Sequence, residues 1–235
     1  MREDDWARRS FAFTPPPRVV VPIVDSAKLF PVRRVYCVGR NYKAHIREMG
    51  GDERESPFFF QKPTDAIVPS GTSIPYPPGT ADLQHEVELV VAIGGARRNL
   101  DSASAGAQVF GVAVGIDLTR RDLQIAARQA GRPWEAGKAF DQSAPLSPIR
   151  RLRGEVLKQG RIQLLVNGTI RQDSDLCEMI WKIEEITSHL SRSFSLVPGD
   201  LIFTGTPSGV GPLAPGDVIE AAIEGVGRLT VSIAE

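Results

Sequence analysis

Two glutamates stand one residue apart in the segment Leu83–Ile93, at the point where the chain turns fully apolar. Side chains alternate faces along a strand, so Glu86 and Glu88 share one face while Val87 and Leu89 share the other. Beyond Leu89 both faces are apolar, which indicates a buried strand. Two carboxylates at the mouth of such a strand repel each other unless a positive charge lies between them. The pattern therefore points to a cation site.

A third carboxylate, Asp117, ends the next long apolar strand, Val109–Asp117. Three carboxylates without thiolates suit a hard divalent ion, which means Mg²⁺ or Mn²⁺ and also Ca²⁺. The alternative is that Glu86 and Glu88 form a solvated strand edge and that Asp117 is a turn residue. His85 points to the opposite face of its strand and is predicted to be structural or to support the site.

One of the three histidines has a carboxylate partner at helical spacing. His45 and Glu48 are three residues apart on a short helix predicted over Asn41–Met49, so both side chains face one way. A carboxylate fixes the imidazole tautomer and raises its basicity, which is what a general base needs. The alternative is an ordinary surface pair. His189 lies near a helix C-terminus, where a favourable contact with the helix dipole explains it.

Two further segments carry candidate binding groups. Lys138 stands between small and aromatic residues in Gly137–Asp141 and is predicted to be a partly buried catalytic or anion-binding lysine; otherwise it is an ordinary loop lysine. The segment Phe203–Gly211 is a strand followed by small residues. Its glycines fit a weak dinucleotide pattern, but Pro212 and Pro215 would break the helix that this pattern must open, so NAD binding is excluded. The loop can instead offer backbone N–H groups to a carboxylate.

The composition is that of an ordinary globular chain with many turns. Of 235 residues, 42% are hydrophobic and 24% charged, with 22 glycines and 18 prolines. Lys+Arg and Asp+Glu are 28 each, so the net charge is zero and no broad basic surface for nucleic acid is expected. No apolar run approaches the ~20 residues of a membrane span, the N-terminus shows no secretory signal, and two cysteines make no disulfide framework. We expect a cytoplasmic enzyme or binding protein without nucleic-acid or membrane partners.

Strands outnumber helices and do not alternate regularly with them, which predicts a β-rich α+β fold. Residues 1–34, with Pro15–Pro17, are predicted to form an irregular N-terminal arm, and residues 35–235 a single catalytic domain. The strongest hairpin signal is Asn167-Gly168.

Two helices carry capping signals. Thr119 with Asp122 predicts a capping box for the first helix, and Asp175 with Glu178 for the second. Apolar residues recur at helical spacing on one face of each: Leu123, Ala126, Ala127 and Ala130 in the first, and Met179, Ile183, Ile186 and Leu190 in the second. Such spacing is typical of an amphipathic helix.

Six segments, taken together and in this order, resemble the fumarylacetoacetate hydrolase family over about residues 35–233. They are Cys37–Tyr42 with His45 and Glu48, Gln61–Pro63 with Ile67–Gly71, His85–Leu89, Gly115–Asp117 with Arg121, Asp122 and Gln124, Gly137–Asp141 with Ala144–Leu146, and Phe203–Gly211. The start of the chain, with Phe11–Phe13, Pro15–Pro17 and Phe30–Arg34, is similar to the bacterial fumarylpyruvate hydrolase subgroup. Gln142 and Ser147 depart from the family pattern, because glycine is common at both positions.

The resemblance implies a mixed β-sandwich-like roll with a metal at one open end, and a homodimer. The implied metal ligands are Glu86, Glu88 and Asp117. His45 and Glu48 would activate water from a short lid helix, and Lys138 would be an electrophilic helper. The residues implied in substrate binding are Arg40, Tyr42, Lys62, Arg121, Gln124 and Thr206.

The implied reaction is hydrolysis of a carbon–carbon bond in a 2,4-dioxo acid, with fumarylpyruvate giving fumarate and pyruvate. His45 would take a proton from water, which attacks the C4 carbonyl, and the C3–C4 bond breaks while the metal acts as a Lewis acid. The same chemistry serves an oxaloacetate decarboxylase or a 2-hydroxyhepta-2,4-diene-1,7-dioate isomerase. A silent keto-acid binding module is the non-enzymatic alternative. For a distal substrate carboxylate the candidates are Arg40, Arg47 and Arg121, of which Arg121 is preferred.

Overall fold

The structure is a computed structural model that describes residues 11–43, 55–154 and 156–235. The strands of this part of the chain are β1 (Val20–Pro22), β2 (Leu29–Pro31), β3 (Arg34–Gly39), β4 (Phe58–Lys62), β5 (Ile67–Pro69), β6 (Ser73–Ile74), β7 (Leu83–His85), β8 (Val87–Ile93), β9 (Val109–Ile116), β10 (Thr119–Arg120), β11 (Ala144–Leu146), β12 (Arg150–Arg151), β13 (Arg161–Val166), β14 (Thr169–Asp175), β15 (Asp200–Phe203), β16 (Gly211–Leu213), β17 (Val218–Ile223) and β18 (Gly227–Ile233). The α-helices are α1 (Ser102–Ala105), α2 (Arg121–Gln129), α3 (Glu135–Lys138) and α4 (Ile183–Ser193). Short 3₁₀ turns cover Thr64–Ala66, Gly106–Gln108 and Leu176–Glu178.

An eight-stranded mixed sheet forms the centre of the fold. Its order is β4-β3-β15-β8-β9-β11-β5, with β12 also paired to β9. Both faces are buried, since β8 places Leu89 and Val91 in one apolar cluster and Val90 and Ala92 in another. The prediction of a strand that is apolar on both faces beyond Leu89 is confirmed.

A five-stranded sheet covers one of these faces, in the order β14-β13-β17-β18-β6. Its inward residues, such as Ile162, Leu164 and Ile219, belong to the same apolar cluster as Leu89. Strands β13 and β14 form the predicted hairpin, with φ of 51° at Asn167 and 74° at Gly168. The two packed sheets form the expected β-rich sandwich.

The N-terminal region is more ordered than predicted between residues 20 and 31. Strands β1 and β2 pair with each other, and Val21 and Phe30 are buried in the second apolar cluster beneath the central sheet. The expected irregular arm is therefore wrong over these residues, because their apolar side chains cover a sheet face that would otherwise be exposed. The division into an arm and a catalytic domain stays a prediction.

Helix α4 has the predicted apolar face but a later start. Asp175 caps the 3₁₀ turn, accepting from the Cys177 N–H at 2.8 Å, instead of the α-helix. The helix itself begins after Lys182, whose N–H donates to Glu185 at 2.8 Å. No helix in the described ranges is long and apolar enough to cross a membrane.

Helix α2 does not follow the prediction. Its buried residues are the polar Arg121 and Gln124, and not the apolar residues that share a face at helical spacing. The predicted capping box is wrong, because Asp122 accepts instead from the Thr80 hydroxyl and from the Ala81 N–H. The helix therefore presents a polar face to the interior, which requires polar partners there.

Candidate active site

The three predicted carboxylates converge through the register of two neighbouring strands. Residue Gly115 of β9 pairs with Glu88 of β8, so the next residue on the same face, Asp117, stands opposite Glu86. The Asp117 N–H donates to the Glu86 carbonyl at 2.8 Å, which fixes this alignment. Glycine is required at 115, since a Cβ there would lie 2.5 Å from Val90 and 2.6 Å from the Phe203 ring.

Glu86 occupies a break between two sheets. The predicted strand over Glu86–Ile93 starts instead at Val87, and the preceding strand β7 belongs to a three-stranded sheet of order β10-β7-β16. The chain passes from one sheet to the other at Glu86. This junction opens the end of β8 and leaves room for side chains above the carboxylates.

The carboxylates form one compact, buried cluster. Each contributes an oxygen to a group whose members lie within 4.8 Å of one another, and Glu86, Glu88 and Asp117 are only 5%, 1% and 1% exposed. The alternative of a solvated strand edge is therefore wrong. Such a cluster requires positive charge close by.

Three cations meet the cluster. Lys138 Nζ lies 2.9 Å from Glu86 Oε2 and 2.7 Å from Asp117 Oδ2, and Lys62 Nζ lies 2.9 Å from Asp117 Oδ1. The guanidinium of Arg121 donates to Glu86 Oε1. These contacts hold both oxygens of Glu86 and Asp117 in place.

Lys138, at the end of α3, is an ammonium and not a base. Burial alone would lower its pKa, but the nearby charges of Asp117 and Glu86 outweigh burial and raise it. The ammonium also donates to Thr119 Oγ1 at 2.7 Å. Lys138 is fully buried, so the alternative of an ordinary loop lysine is wrong.

The donor set fits a hard divalent ion. Glu88 accepts a hydrogen bond from the Gly205 N–H at 2.7 Å. Its pKa is nevertheless raised well above the ordinary value, mainly by burial and then by the charges of Asp117 and Glu86. A divalent ion would favour the ionised form of this carboxyl and offset that cost. Carboxylate oxygens are also the ligands that Mg²⁺ and Mn²⁺ prefer. The residues present therefore fit the implied metal.

The cluster lines a cleft at the end of β8. Four of the six predicted substrate-binding residues line it: Arg40, Arg121, Gln124 and Thr206. Arg121 is held deep in the cleft, where its Nε donates to Gln84 Oε1 at 2.8 Å and its Nη1 donates to Gln124. Its guanidinium therefore orders the base of the cleft, which contradicts its preferred assignment to a distal carboxylate.

Lys62 and Tyr42 do not line this cleft. Lys62 Nζ lies behind the cluster, donating to the Leu118 carbonyl at 3.1 Å and to the Lys138 carbonyl in addition to its ion pair with Asp117. Two hydrogen bonds and one ion pair to the protein thus occupy this ammonium, which favours a supporting role, and the predicted substrate contact stays a prediction. Tyr42 is buried in the main apolar cluster, and its contact with the substrate stays a prediction.

The predicted catalytic pair His45 and Glu48, the candidate Arg47 and the predicted helix beyond Lys43 lie outside the described residues. The side chain of Asn41, the residue predicted to cap that helix, contacts two other segments of the chain. It donates to the Thr204 carbonyl at 2.8 Å and accepts from the Trp181 N–H at 2.8 Å. It therefore ties the end of β3 to the Thr204 loop.

Gln172, on β14, is a buried amide that the sequence reasoning missed. Its Oε1 accepts from the Val87 N–H at 3.0 Å and lies 3.0 Å from His85 Nδ1. Its Nε2 donates to Thr206 Oγ1 at 2.8 Å and to the Pro207 carbonyl at 2.9 Å. The only available signal was a polar residue at an inward strand position.

The backbone partners of Gln172 fix the orientation of its amide. Because Oε1 only accepts, His85 Nδ1 carries a hydrogen. A neutral His85 agrees with this, since burial lowers its pKa although the hydrogen bond to Gln172 acts in the opposite direction. Because Thr206 Oγ1 accepts from the amide, the hydroxyl hydrogen of Thr206 is free to donate into the cleft. His85 is thus a supporting residue, as expected.

The two departures from the family pattern are accommodated without loss of shape. Gln142 has φ of 59°, a left-handed conformation that explains why glycine is common there. Ser147 Oγ accepts from the Val114 N–H at 2.9 Å, which joins β9 to the chain after β11.

Comparison with known proteins agrees with this geometry. Residues 34–234 match the sequence profile described as "Fumarylacetoacetate (FAA) hydrolase C-terminal". Fumarylpyruvate hydrolase of Ralstonia sp is 41% identical over 179 residues, which are 76% of this chain and 93% of the relative. "Oxaloacetate tautomerase FAHD1, mitochondrial" of Homo sapiens is 38% identical over 202 residues, 86% of this chain and 91% of the relative.

Among solved structures, fumarylpyruvate hydrolase from Pseudomonas aeruginosa in complex with Mn²⁺ and pyruvate is 49% identical, with a TM-score of 0.93. The match covers 96% of this chain and 99% of that chain. The chain has the β-rich mixed-sheet fold of these proteins, and it belongs to the fumarylacetoacetate hydrolase family.

Proposed function

We propose that this chain is a metal-dependent hydrolase that cleaves a carbon–carbon bond in a 2,4-dioxo acid, with fumarylpyruvate as the substrate and fumarate and pyruvate as the products. The observation that carries the proposal is the buried cluster of Glu86, Glu88 and Asp117 at the base of the cleft. The similarity to two fumarylpyruvate hydrolases supports the choice of substrate.

The three carboxylates would hold the divalent ion, with Arg121 and Lys138 keeping Glu86 oriented. When bound, the ion supplies a Lewis acid that stabilises negative charge developing on the keto acid. Lys138 adds a fixed positive charge beside this position, because its ammonium is held by Asp117 and Thr119. Such preorganised charge acts without reorganisation at the moment of reaction.

Thr206 and Gln124 both line the cleft that holds the carboxylate cluster. The free hydrogen of Thr206 suits a carboxylate oxygen of the substrate, because Gln172 already satisfies its oxygen. Gln124 accepts from Arg121, which leaves its own amide N–H groups to donate. Both residues would therefore orient the keto acid.

His45 and Glu48 complete the proposal on the ground of their sequence pattern. His45 would accept a proton from water, which adds to the C4 carbonyl. The C3–C4 bond then breaks, C4 becomes the carboxylate of fumarate, and C3 takes up a proton to give pyruvate. Glu48 would hold the imidazole in the tautomer that accepts the proton.

The test is pyruvate release from fumarylpyruvate and acetylpyruvate by the purified chain, with Mg²⁺ or Mn²⁺ and after chelation. Pyruvate is measured through its reduction by lactate dehydrogenase. We expect stoichiometric pyruvate and fumarate that depend on the metal. Absence of pyruvate with both substrates from metal-loaded, folded protein would contradict the proposal.

The similarity to the human oxaloacetate tautomerase favours a second candidate, action on oxaloacetate. Oxaloacetate carries the same 2-oxo acid head as an acylpyruvate, so the base of the cleft would bind both. Including oxaloacetate in the assay distinguishes the two functions by their relative kcat/KM. Oxaloacetate as the better substrate would make this candidate the principal function.

We also propose that the chain works as a homodimer in the cytoplasm, in the breakdown of aromatic compounds. Family membership and the resemblance of the first residues to the fumarylpyruvate hydrolase subgroup support this. Light scattering after size-exclusion chromatography tests the assembly, since a dimer has twice the 25.6 kDa of the chain.

A further inference from the structure

The mouth of the cleft differs in charge from its base. Two arginines line it, Arg40 and Arg128, and the sequence reasoning had not considered Arg128. Among the described residues neither guanidinium has an ion pair or a side-chain hydrogen bond, whereas Arg121 deeper in the cleft has three such bonds. The two arginines are therefore like charges that no carboxylate of the described residues holds in an ion pair, although the charge of Glu55 acts on Arg40 from further away.

Helix α2 connects the base to the mouth. Four of its residues line the cleft at helical spacing: Arg121, Gln124, Ile125 and Arg128. Their exposure rises along the helix, from 6% at Arg121 and 7% at Gln124 to 41% at Ile125. Arg128 lies roughly 10 Å further along the axis than Arg121, at about 1.5 Å per residue. Long side chains on a helix lean toward its N-terminus, which shortens the distance from the Arg128 guanidinium to the base.

Arg40 approaches from the other wall, directly after β3. Its φ of 57° is a left-handed conformation that costs energy for a residue other than glycine. The pKa of Arg40 is lowered, mainly by burial and then by the charge of Arg128, and the charge of Glu55 offsets only part of this decrease. The two guanidinia are thus close enough to repel, which an anion between them would relieve.

Apolar side chains separate this pair from the carboxylate cluster. Phe60, Ile125 and Trp134 line the cleft. The Phe60 ring lies 5.3 Å from Lys138 Nζ and 5.8 Å from the Trp134 ring, and Ile125 lies between Gln124 and Arg128 on α2. Trp134 is held by an edge contact with the Phe58 ring, at 5.2 Å and 88°. From base to mouth the cleft therefore consists of the carboxylate cluster, which would hold the metal and the keto-acid end of the substrate, an apolar part and the cationic arginine pair.

We infer that Arg40 and Arg128 bind the distal carboxylate of a dicarboxylic acylpyruvate and so select this substrate class. The inference rests on the proposed function, which concerns the other end of the substrate. In extended fumarylpyruvate, six carbon–carbon bonds of about 1.5 Å separate the carboxyl carbons, a zigzag span of roughly 7–8 Å. That span is compatible with the rise along α2 once Arg128 leans back toward the base. The unsaturated middle of the substrate matches the apolar walls.

The test compares kcat/KM on fumarylpyruvate and on acetylpyruvate, which lacks the distal carboxylate. We expect Arg128→Ala to lower the ratio of the two values about tenfold, equivalent to ~1.4 kcal/mol. Arg40→Asn, which tolerates the left-handed backbone, should act in the same direction, and the double variant should lower the ratio further. Arg132→Ala is the matched control, because Arg132 is exposed just beyond α2 and does not line the cleft. A ratio unchanged in Arg128→Ala and in the double variant would overturn the inference.

Fumarate binding gives a readout that does not depend on turnover. Isothermal titration of Mn²⁺-loaded protein with fumarate should show about tenfold weaker binding in Arg128→Ala than in wild type or Arg132→Ala. This result would support the subsite even if the wild type released no pyruvate, in which case only the proposed function fails. Equal fumarate affinity in all three proteins would overturn the subsite whether or not the chain is a hydrolase.

Discussion

The base and the mouth of the cleft are built from different kinds of structure. The base stands on β8 and β9, in the middle of an eight-stranded sheet, and its carboxylates are buried among fixed cations. The mouth is formed by the last turn of α2 and the residue after β3, where arginines are partly or largely exposed to solvent. A change at the base disturbs a packed sheet, whereas a change at the mouth disturbs little else. The common chemistry therefore belongs at the base, and the choice of substrate at the mouth.

The strongest test of this division removes one charge from the base. Glu88→Gln should lose Mn²⁺ and reduce turnover below detection, because it removes a charged ligand while the apolar face of β8 stays intact. Metal analysis and the pyruvate assay measure this. Glu220→Gln on the exposed face of β17 is the control and should keep both properties. Full metal occupancy in Glu88→Gln would show that the ligand assignment is wrong.

The second test separates water activation from metal binding. His45→Ala should reduce hydrolysis about 10²–10⁴-fold, the usual contribution of a general base, and leave Mn²⁺ occupancy unchanged. Glu48→Ala should act less severely, since the base remains but loses its orienting partner. Decarboxylation of oxaloacetate, which needs no attacking water, should persist in His45→Ala. Hydrolysis at a near wild-type rate would exclude His45 as the base.

A smaller effect on catalysis should come from changing Gln172, which supports Thr206 at the base of the cleft. Gln172→Glu keeps an acceptor for Val87 and His85 but replaces the amide that donates to Thr206. The Thr206 hydroxyl must then donate to the introduced carboxylate, and the substrate loses that hydrogen. We expect KM to rise about three- to tenfold, the value of one hydrogen bond.

Steady-state kinetics on a double-mutant cycle decide whether Gln172 acts on the substrate through the Thr206 hydroxyl. Thr206→Val should raise KM by a similar factor, and the double variant should add little, because both changes remove the same donor. Thr206→Ser keeps the hydroxyl and is the control. Additive effects of the two substitutions would mean that Gln172 acts only on stability.

The smallest expected effect is on stability in the presence of a chelator. The Glu88 pKa is raised well above its ordinary 4.5 by burial and by Asp117 and Glu86. A raised folded-state pKa contributes stability that is complete below about 4.5 and is lost as the pH rises through the raised value. The Tm of chelated protein should therefore fall by a few degrees over this window, at about 2–4 °C per kcal/mol. The Tm of chelated Glu88→Gln protein should depend less on pH than the Tm of chelated wild type. An equal pH dependence in both proteins would show that Glu88 does not cause it.

The carboxylate cluster was predictable because its signals are local. Alternation along the segment after Glu86 assigned Glu88 to the same face, and the apolar strand before Asp117 brought a third carboxylate to the same end. The Asn167-Gly168 hairpin was predictable for a similar reason, since the turn residues themselves adopt the required left-handed backbone. Such features need only the chain near them.

Helix α2 shows where local signals fail. Its alanines and Leu123 suggested a packed apolar face, but the buried residues are Arg121 and Gln124. Burial of Arg121 is favourable only because Glu86 and Gln84, about 35 residues earlier in the chain, supply its partners, and Gln124 in turn accepts from Arg121. Nothing within the helix itself indicates those partners.

Neighbouring residues were enough to predict the strand alternation, the hairpin and the types of residue that can hold a divalent ion. The fold was needed to show which polar groups meet: Lys62 with Asp117, Gln172 with His85 and Thr206, and Arg128 with Arg40 in one cleft. A buried or like-charged polar group takes its position from partners that sheet register and helix packing bring together. Those partners are distant in the chain, and their energies become favourable only once the fold has formed.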